Sequence, residues 1–396
     1  MKKAPVPVVL LGGLDIVRAL GLAGIPVLIA SSQRRTPSMA SRYCKGVIQL
    51  PPLTDREAVV DTLISESRKY GERPPLFYDN DNRLALVQDY RAALEPYFAL
   101  LLNAPALGDA LLDKAAFQAL AERDGLPVPR RIAWEALEAE AGPVLIKPKT
   151  RAGSEEWSAR VELLGGGGKA RVFANGHEAR ADPLVARFAA QLSFQEYVPG
   201  GDDAIWSYHG FAAPGGDVLA EFVGRKIRTW PELTGDSAYL RLARDASLIG
   251  LGRDIARRLG LTGIFKMDFK RSAASGRWVL FEINTRYNLW HYVGARNGVN
   301  LPRVAYDFLT RNELPARTEA RTTWRYVAFR YDLPAFRELH ARRKLSFAGW
   351  LASLCYVPKC YEVFSWSDPL PFVRYWTIRL RAALARRTHR WLSTAS

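Results

Sequence analysis

Residues 263–270, GIFKMDFK, and 278–286, WVLFEINTR, alternate apolar and polar positions on either side of a short polar break that contains Gly276. Alternation with a period of two marks a half-buried strand, and two such runs across a short turn read as an antiparallel hairpin. Side chains two apart on a strand stand on one face, so Glu282 and Asn284 project together and Asp268 on the partner strand shares their face. Two carboxylates and an amide oxygen are hard oxygen ligands. Magnesium held by a few carboxylates and by substrate phosphates uses such a set. Arg286 continues the alternation and presents a bidentate cation beside the metal. The plain alternative is a surface hairpin with ordinary charges, and the hairpin alone does not separate the two.

Upstream, Lys147 closes a short apolar strand that runs into Pro148, and Lys114 stands at the start of an alanine-rich helix over 113–123. Two lysines on separate elements suit the α- and β-phosphate oxygens of a nucleotide, although each alone is an ordinary solvated lysine. Gln195-Glu196-Tyr197-Val198 ends a strand over 194–198, offering a flat apolar slot for a base, and Asp203, seven residues beyond Glu196, suits a ribose. Residues 237–259 read as one long amphipathic helix ended by Gly260. The four glycines at 165–168 read as a hairpin connection, since the Lys-Ser/Thr of a phosphate loop does not follow them.

The first hundred residues alternate strand and helix. Residues 6–11 are a continuous apolar run, as in a strand buried on both faces. Gly12-Gly13 turns the chain into a helix over 14–23, and a second strand covers 25–30, which implies a parallel crossover. Strands at 47–50 and 75–78 flank a helix over 56–70, and the last strand ends in Asp79-Asn80-Asp81. A dinucleotide fingerprint is not met: the glycines are adjacent, and the second strand ends in Ser31-Ser32 where an acid is required.

With 396 residues the chain suits two or three domains, and 48% hydrophobic with 24% charged residues excludes disorder throughout. Cys44, Cys355 and Cys360 cannot form a disulfide framework or a four-ligand metal site, which points to a reducing compartment. The opening MKKAPVPVVLLGGLDIVRAL mimics a signal peptide, but Asp15 and Arg18 interrupt it and no clean cleavage site follows. A cytoplasmic protein is expected. The net charge of +16 is unevenly placed: from Glu313 onward there are 15 Lys/Arg against 6 Asp/Glu, with 15 of the 44 aromatic residues.

Taken in order, Lys114, Lys147-Pro148, a glycine-bearing loop, Gln195-Glu196-Tyr197, Asp268 and Glu282-Ile-Asn284-x-Arg286 resemble the ATP-grasp superfamily, specifically its predicted carboxylate–amine ligases. DKAAFQALAERDGLPVP (113–129) looks like the family's opening helix with its Pro-x-Pro exit, and FEINTRYNLWHYVGARNGVNLP (281–302) like its metal strand and the segment beyond. The match covers residues 109–312. It implies an α/β and α+β chain, with a Rossmann-like parallel-sheet domain over 1–108 and a two-lobed ATP-grasp domain over 109–312; the basic aromatic extension over 313–396 lies outside the match.

The resemblance implies ATP and Mg2+ as cofactors, with two ions and Mn2+ as a substitute. Residue by residue, Lys114 and Lys147 match the phosphate-binding cations, and Arg151, Gly153 and Ser154 the loop that closes over the triphosphate. Glu196, Tyr197 and Val198 match the adenine hinge, Asp203 the ribose acid, and Asp268, Glu282 and Asn284 the magnesium ligands. Arg286 matches the arginine that steadies the acyl phosphate and the tetrahedral intermediate. Lys226 and Arg228, expected on one strand face, fall where related enzymes aim cations at the γ-phosphate or the carboxylate. The loop departs from better-known branches in carrying only Gly153.

The implied activity joins a carboxylate to an amine through an acyl phosphate, on small-molecule substrates. The alternatives are a carboxylase or kinase-like use of the same ATP site, or a membrane-associated binding protein with an inactive site. No Ser-His-Asp, Cys-His or HExxH arrangement competes. His291 reads as a packing residue, while Asp15, Arg18, Asp79 and Asp81 are candidates for the substrate side. No nucleic-acid partner is expected, and a dimer is common among look-alikes. In the tail, Phe372, Trp376, Leu380, Leu384 and Trp391 recur near helical spacing among six arginines. Two readings follow: a helix in an anionic membrane interface serving a lipid-linked acceptor at the inner face, or a helix packed on the enzyme with a solvated arginine face.

Overall fold

A computed structural model of the chain describes residues 5–149, 162–164, 170–232, 235–313, 318–355 and 358–394, with side chains of the last helix as far as Leu384. The chain divides into two compact units. One comprises residues 1–101, 286–316 and 360–396, the other residues 102–285 and 317–359.

In the first unit, β1 (Val8–Leu11), β2 (Val27–Ser31), β3 (Cys44–Gln49) and β4 (Leu76–Tyr78) form a parallel sheet of order β3-β2-β1-β4. Every residue of β1 is fully buried, as its unbroken apolar sequence requires. Helix Leu14–Leu22 connects β1 to β2, Arg56–Ser67 connects β3 to β4, and Asp81–Asp89 follows β4. Asp55 and Asn80 cap the last two, accepting from the Ala58 and Arg83 amides. Helices Trp290–Arg296 and Leu301–Arg311 pack against Leu14–Leu22.

Arg18 is central to how the rest of this unit is held. It is 1% exposed, and its Nε donates to Asp368 Oδ2 at 3.1 Å. Its other nitrogens donate to the carbonyls of Tyr361, Glu362, Val363 and Asp368. Asp368, also 1% exposed, accepts from Ser41 Oγ and the Arg42 amide, both at 2.9 Å. Arg18 is therefore committed to a buried anchor for residues 361–368, a correction to its expected place on a substrate-lining surface. The helix period hid this, because a buried arginine and a surface arginine occupy the same kind of gap in the apolar pattern.

The second unit holds two antiparallel sheets. β5 (Arg131–Ile132), β6 (Val144–Pro148), β7 (Arg171–Phe173) and β8 (Leu192–Glu196) pair in the order β5-β8-β6-β7 over a core of Ile132, Val144, Ile146, Phe173 and Phe194. In the larger sheet, β9 (Ile205–Ala212), β10 (Val218–Trp230), β11 (Asp236–Ala243), β12 (Gly263–Arg271), β13 (Trp278–Asn284) and β14 (Arg325–Val327) run in the order β13-β12-β9-β10-β11-β14. Helix Ala246–Leu259 covers one face, placing Leu248, Ile255 and Ala256 with Tyr208, Phe265, Met267 and Phe269.

The helix expected over 237–259 is two elements. Residues up to Ala243 form β11, paired with both β10 and β14, and the helix starts at Ala246 behind Asp245, which accepts from the Leu248 amide. Ala238, Tyr239, Leu240 and Leu242 are all buried. A strand buried on both faces has no alternation to show, so its apolar run merged with the helical pattern that follows. Gly260 ends the helix with φ +62°, as expected of a left-handed cap.

Replacing Asp368 by Ala strands the buried Arg18 charge and is expected to destabilise the first unit by about 3–5 kcal/mol. The urea midpoint of that unit, followed by hydrogen exchange of β1 and β2, measures the loss, and Arg18→Met combined with Asp368→Leu should recover most of it.

Candidate functional site

The hairpin forms as expected, and its register decides the site. Asp268 lies opposite Glu282 and Lys266 opposite Asn284; across the other edge of β12, Asp268 lies opposite Ser207 and Lys266 opposite His209. Directly paired residues share a face, so Ser207, Lys266, Asp268, Glu282 and Asn284 stand on one side of the sheet. Met267, Phe269, Leu280 and Ile283 belong to the core on the other side. A bulge after Asp268 lets Glu282 and Leu280 take opposite faces, keeping the carboxylate out of the core.

The carboxylate face is closely wired. Asp268 is 5% exposed, accepts from Ser207 Oγ, and pairs with Lys266 Nζ at 2.6 Å. Asn284 Nδ2 donates to Glu282 Oε1 at 3.0 Å, which fixes the amide flip. A buried carboxylate is costly unless paired and hydrogen-bonded, and Ser207 and Lys266 meet that need. Neither was assigned a role from sequence. The spacing Lys266–Asp268–Lys270 was the available signal, because period-two positions share a face.

Lys147, near the end of β6, is brought into electrostatic reach of both Lys114 and Glu282. Burial, then the Lys114 ammonium, lower its pKa to about 8, and Glu282 opposes them. Lys114 opens helix Lys114–Arg123 behind its cap Asp113 and donates to the Pro148 carbonyl at 3.1 Å. Two cations held close together, one of them partly stripped of solvent, form a site that gains by receiving an anion.

The hinge sequence leaves β8. Gln195 and Val198 are buried, and Glu196 accepts from the Arg130 amide at 3.1 Å. Lys270 Nζ sits 4.7 Å from the centre of the Tyr197 ring, and burial lowers its pKa to about 8 against the pull of Asp202. Asp203 is paired with Arg225 at 2.7 Å. Lys270 continues the row of Lys266 and Asp268, so this aromatic end lies along the same face as the carboxylates.

Lys226 and Arg228 part company. β10 pairs Lys226 with Leu240 but Arg228 with Tyr239, so a bulge at Ile227 turns the two side chains to opposite faces. Gly224 pairs with Ser207, which puts Lys226, two residues on, on the carboxylate face. Arg228 is 4% exposed on the other side, where its Nε donates to Asp332 Oδ1 at 2.8 Å and its Nη1 to Ser353 Oγ at 3.0 Å. The shared face expected for the pair is corrected by this single extra residue. Arg151, Gly153, Ser154 and the four-glycine turn lie outside the described residues.

Within the first unit, Gly12-Gly13 after β1 and Asp79–Asp81 after β4 meet at the carboxyl ends of neighbouring parallel strands, where the strand order reverses and ligands of such sheets bind. A Cβ on Gly12 would come within 2.8 Å of the Leu10 side chain and 3.3 Å of Asp79. Arg286 belongs to this cluster: its Nε donates to Asp81 and its Nη1 to the Asp79 carbonyl at 3.3 Å, while Arg83 pairs with Asp79. His291 is fully buried, accepts from the Asn288 amide, and burial drives its pKa down to about 3, in keeping with a packing role.

No family model matches the chain. A D-aspartate ligase of Enterococcus faecium (strain Aus0004) is 22% identical over 308 residues, spanning 72% of this chain and 70% of that protein. Biotin carboxylase from Campylobacter jejuni superposes with a TM-score of 0.58 at 13% identity, covering 81% of this chain and 74% of that one. L-amino acid ligase from Bacillus licheniformis gives 0.56 at 13% identity, over 78% and 75% of the two chains. N5-carboxyaminoimidazole synthetase from Staphylococcus aureus, crystallised with ADP, gives 0.58 at 14% identity over 81% of each.

A polyphosphate bound against Lys147 favours its ammonium form. Binding of ADP is therefore expected to take up protons near pH 8 and to weaken above it by at most about tenfold per pH unit for that one proton. Calorimetry in buffers of different ionisation heat measures the uptake, and Lys147→Met should remove it.

Proposed function

We propose that this chain, which has the ATP-grasp fold, is an ATP-dependent ligase that activates a carboxylate as an acyl phosphate and joins it to an amine, releasing ADP and phosphate. The observation that carries the reading is the register-matched face of Asp268, Glu282 and Asn284, with Lys147 in electrostatic reach of both Glu282 and Lys114. Likeness to a D-aspartate ligase and to an L-amino acid ligase supports a carboxylate–amine pair.

The donor set fits magnesium: two carboxylates and an amide oxygen on one face, with the Asn284 amide oriented by its bond to Glu282. Bound there, Mg2+ would supply charge neutralisation for the transferring phosphoryl group. In our reading there are two ions, with Mn2+ as a substitute. Glu196, Tyr197 and Val198 hold the base, with Lys270 fixing the Tyr197 ring, and Asp203 takes the ribose. Lys114 and Lys147 hold α- and β-phosphate oxygens, and Arg151, Gly153 and Ser154 form the covering loop. Lys226, on the carboxylate face, is the β10 cation suited to the transferring phosphoryl group, whereas Arg228 holds the sheet to Asp332. Arg286 steadies the acyl phosphate.

The carboxylate oxygen attacks the γ-phosphorus and ADP leaves; the neutral amine then attacks the acyl carbon, and phosphate leaves with the C–O electrons and takes up the proton the amine nitrogen sheds. Neither step requires a covalent enzyme nucleophile, which suits a site built from cations and metal ligands. By function we divide the chain into a substrate domain over 1–108, a two-lobed catalytic domain over 109–312 and an extension over 313–396. We place the reaction in the cytoplasm, on small-molecule substrates; a lipid-linked acceptor is the finer reading. A carboxylase remains the second reading, because biotin carboxylase shares the fold.

Mg-dependent phosphate release from ATP, screened over pairs of amino acids, peptides and cell-wall precursors, tests the proposal. Release that needs one acid and one amine together establishes ligation, and release driven by bicarbonate alone establishes the carboxylase. Glu282→Gln should lower turnover at least about 100-fold by removing charge stabilisation in the transition state. Arg286→Gln should lower kcat while leaving ADP affinity within about twofold of wild type, as expected when an interaction made mainly in the transition state is lost.

A further inference from the structure

Over its described side chains, which run to Leu384, helix Leu370–Thr394 packs by one face and exposes apolar side chains on another. Pro371 is buried and Arg374, Tyr375 and Ile378 are half-buried, the spacing of one helical stripe, and the helix rests on Ser38–Ala40 of its own unit. Along the packed part, to Ile378, the face turned outward is the apolar one, with Phe372 38% exposed, Val373 54% and Trp376 48%; beyond Ile378 every described side chain is exposed, and Leu380 at 59% and Leu384 at 62% continue the same stripe. At 3.6 residues per turn these five fall within about 120° of arc. Trp366, 89% exposed just before the helix, packs edge-on against Phe364, which in turn contacts Phe372.

This inverts the arrangement of an ordinary packed helix, whose apolar stripe faces the core. The charge shows what fits the bare face. Arg379 and Arg381 are exposed and flank the stripe on its two sides, and from Pro369 to Ser396 the sequence has six arginines and no acid. An apolar, tryptophan-bearing stripe bordered by arginines matches the depth profile of an anionic bilayer surface, with acyl chains below and phosphate headgroups beside them. No described helix is long and apolar enough to cross a membrane, so the fit is to the surface.

We infer that the C-terminal helix docks this protein on an anionic phospholipid surface, inserting Phe372, Trp376, Leu380 and Leu384 between headgroups while Arg379 and Arg381 bind lipid phosphates. The inference stands independently of the ligase reading, because none of these residues belongs to the catalytic face.

Co-sedimentation of the full-length protein with sucrose-loaded vesicles tests it. Vesicles of equal phosphatidylglycerol and phosphatidylcholine should carry the protein down at low salt and release it as salt rises, and phosphatidylcholine alone should not. Arg379→Gln with Arg381→Gln should weaken binding about 30-fold, roughly fivefold per arginine. Trp376→Ser with Leu380→Ser should weaken it at least about tenfold. Both double variants should keep the wild-type circular dichroism and ligase turnover, since the altered side chains are exposed. Absence of binding to the anionic vesicles, or equal binding by wild type and both variants, overturns the proposal. So does a dimer that Trp376→Ser with Leu380→Ser dissociates in sedimentation velocity, which assigns the stripe to a second copy. Arginine-dependent binding to a DNA or RNA duplex without vesicle binding overturns it as well.

Discussion

The second unit depends on the pairing of Asp268 with Glu282 across β12 and β13. Two carboxylates placed directly opposite on adjacent strands repel one another, and like charges so placed destabilise a sheet. The pairing is sustained because cations and donors surround it: Lys266 and Ser207 on Asp268, Asn284 on Glu282, and Lys147 in electrostatic reach. A sheet optimised only for stability would not concentrate charge in this way.

The lysines contribute through their desolvation. Lys147 and Lys270 both have pKa values lowered to about 8, in each case chiefly by burial. A lysine whose ammonium is already poorly hydrated loses less solvation when it meets a phosphate, so its interaction with the ligand is offset by less than that of a surface lysine. Lys270 adds a second function, since its ammonium lies over the Tyr197 ring and holds one wall of the slot beyond the hinge. In the function proposed above, charge recognition and base recognition share one row of side chains on β12.

The C-terminal extension serves each unit separately through a buried aspartate. Asp332 is fully buried, accepts from Arg228 and from Trp350 Nε1, and ties helix Phe329–Ala341 and helix Phe347–Leu354 to the large sheet. Asp368 is buried in the other unit and accepts from Arg18, tying down the segment that leads into the last helix. A buried Arg–Asp pair adds little net stability over an apolar pair, but it fixes geometry, because each partner is costly in any position without the other.

The residue types and their spacing determined the central features of this protein. Alternation alone placed Glu282 and Asn284 on one face with Asp268 and made the hairpin antiparallel, and the apolar run at β1 marked a parallel sheet. These rules depend only on backbone geometry, so a sequence can display them. The spacing of Phe372, Trp376, Leu380 and Leu384 was equally legible. What it could not show is which face of that helix the protein covers, since an inward and an outward stripe have the same period. Three further matters were settled only in three dimensions. The bulge at Ile227 separated Lys226 from Arg228, because an inserted residue turns the next side chain to the other face until a second irregularity after Arg228 restores the register, and neither leaves a mark in composition. The run at 238–242 became a strand, because burial on both faces erases periodicity. Arg18 and Arg228 found aspartates hundreds of positions or about a hundred positions away, at separations |i−j| of 350 and 104. Such long-range pairing is chosen by packing, and local sequence carries no trace of it.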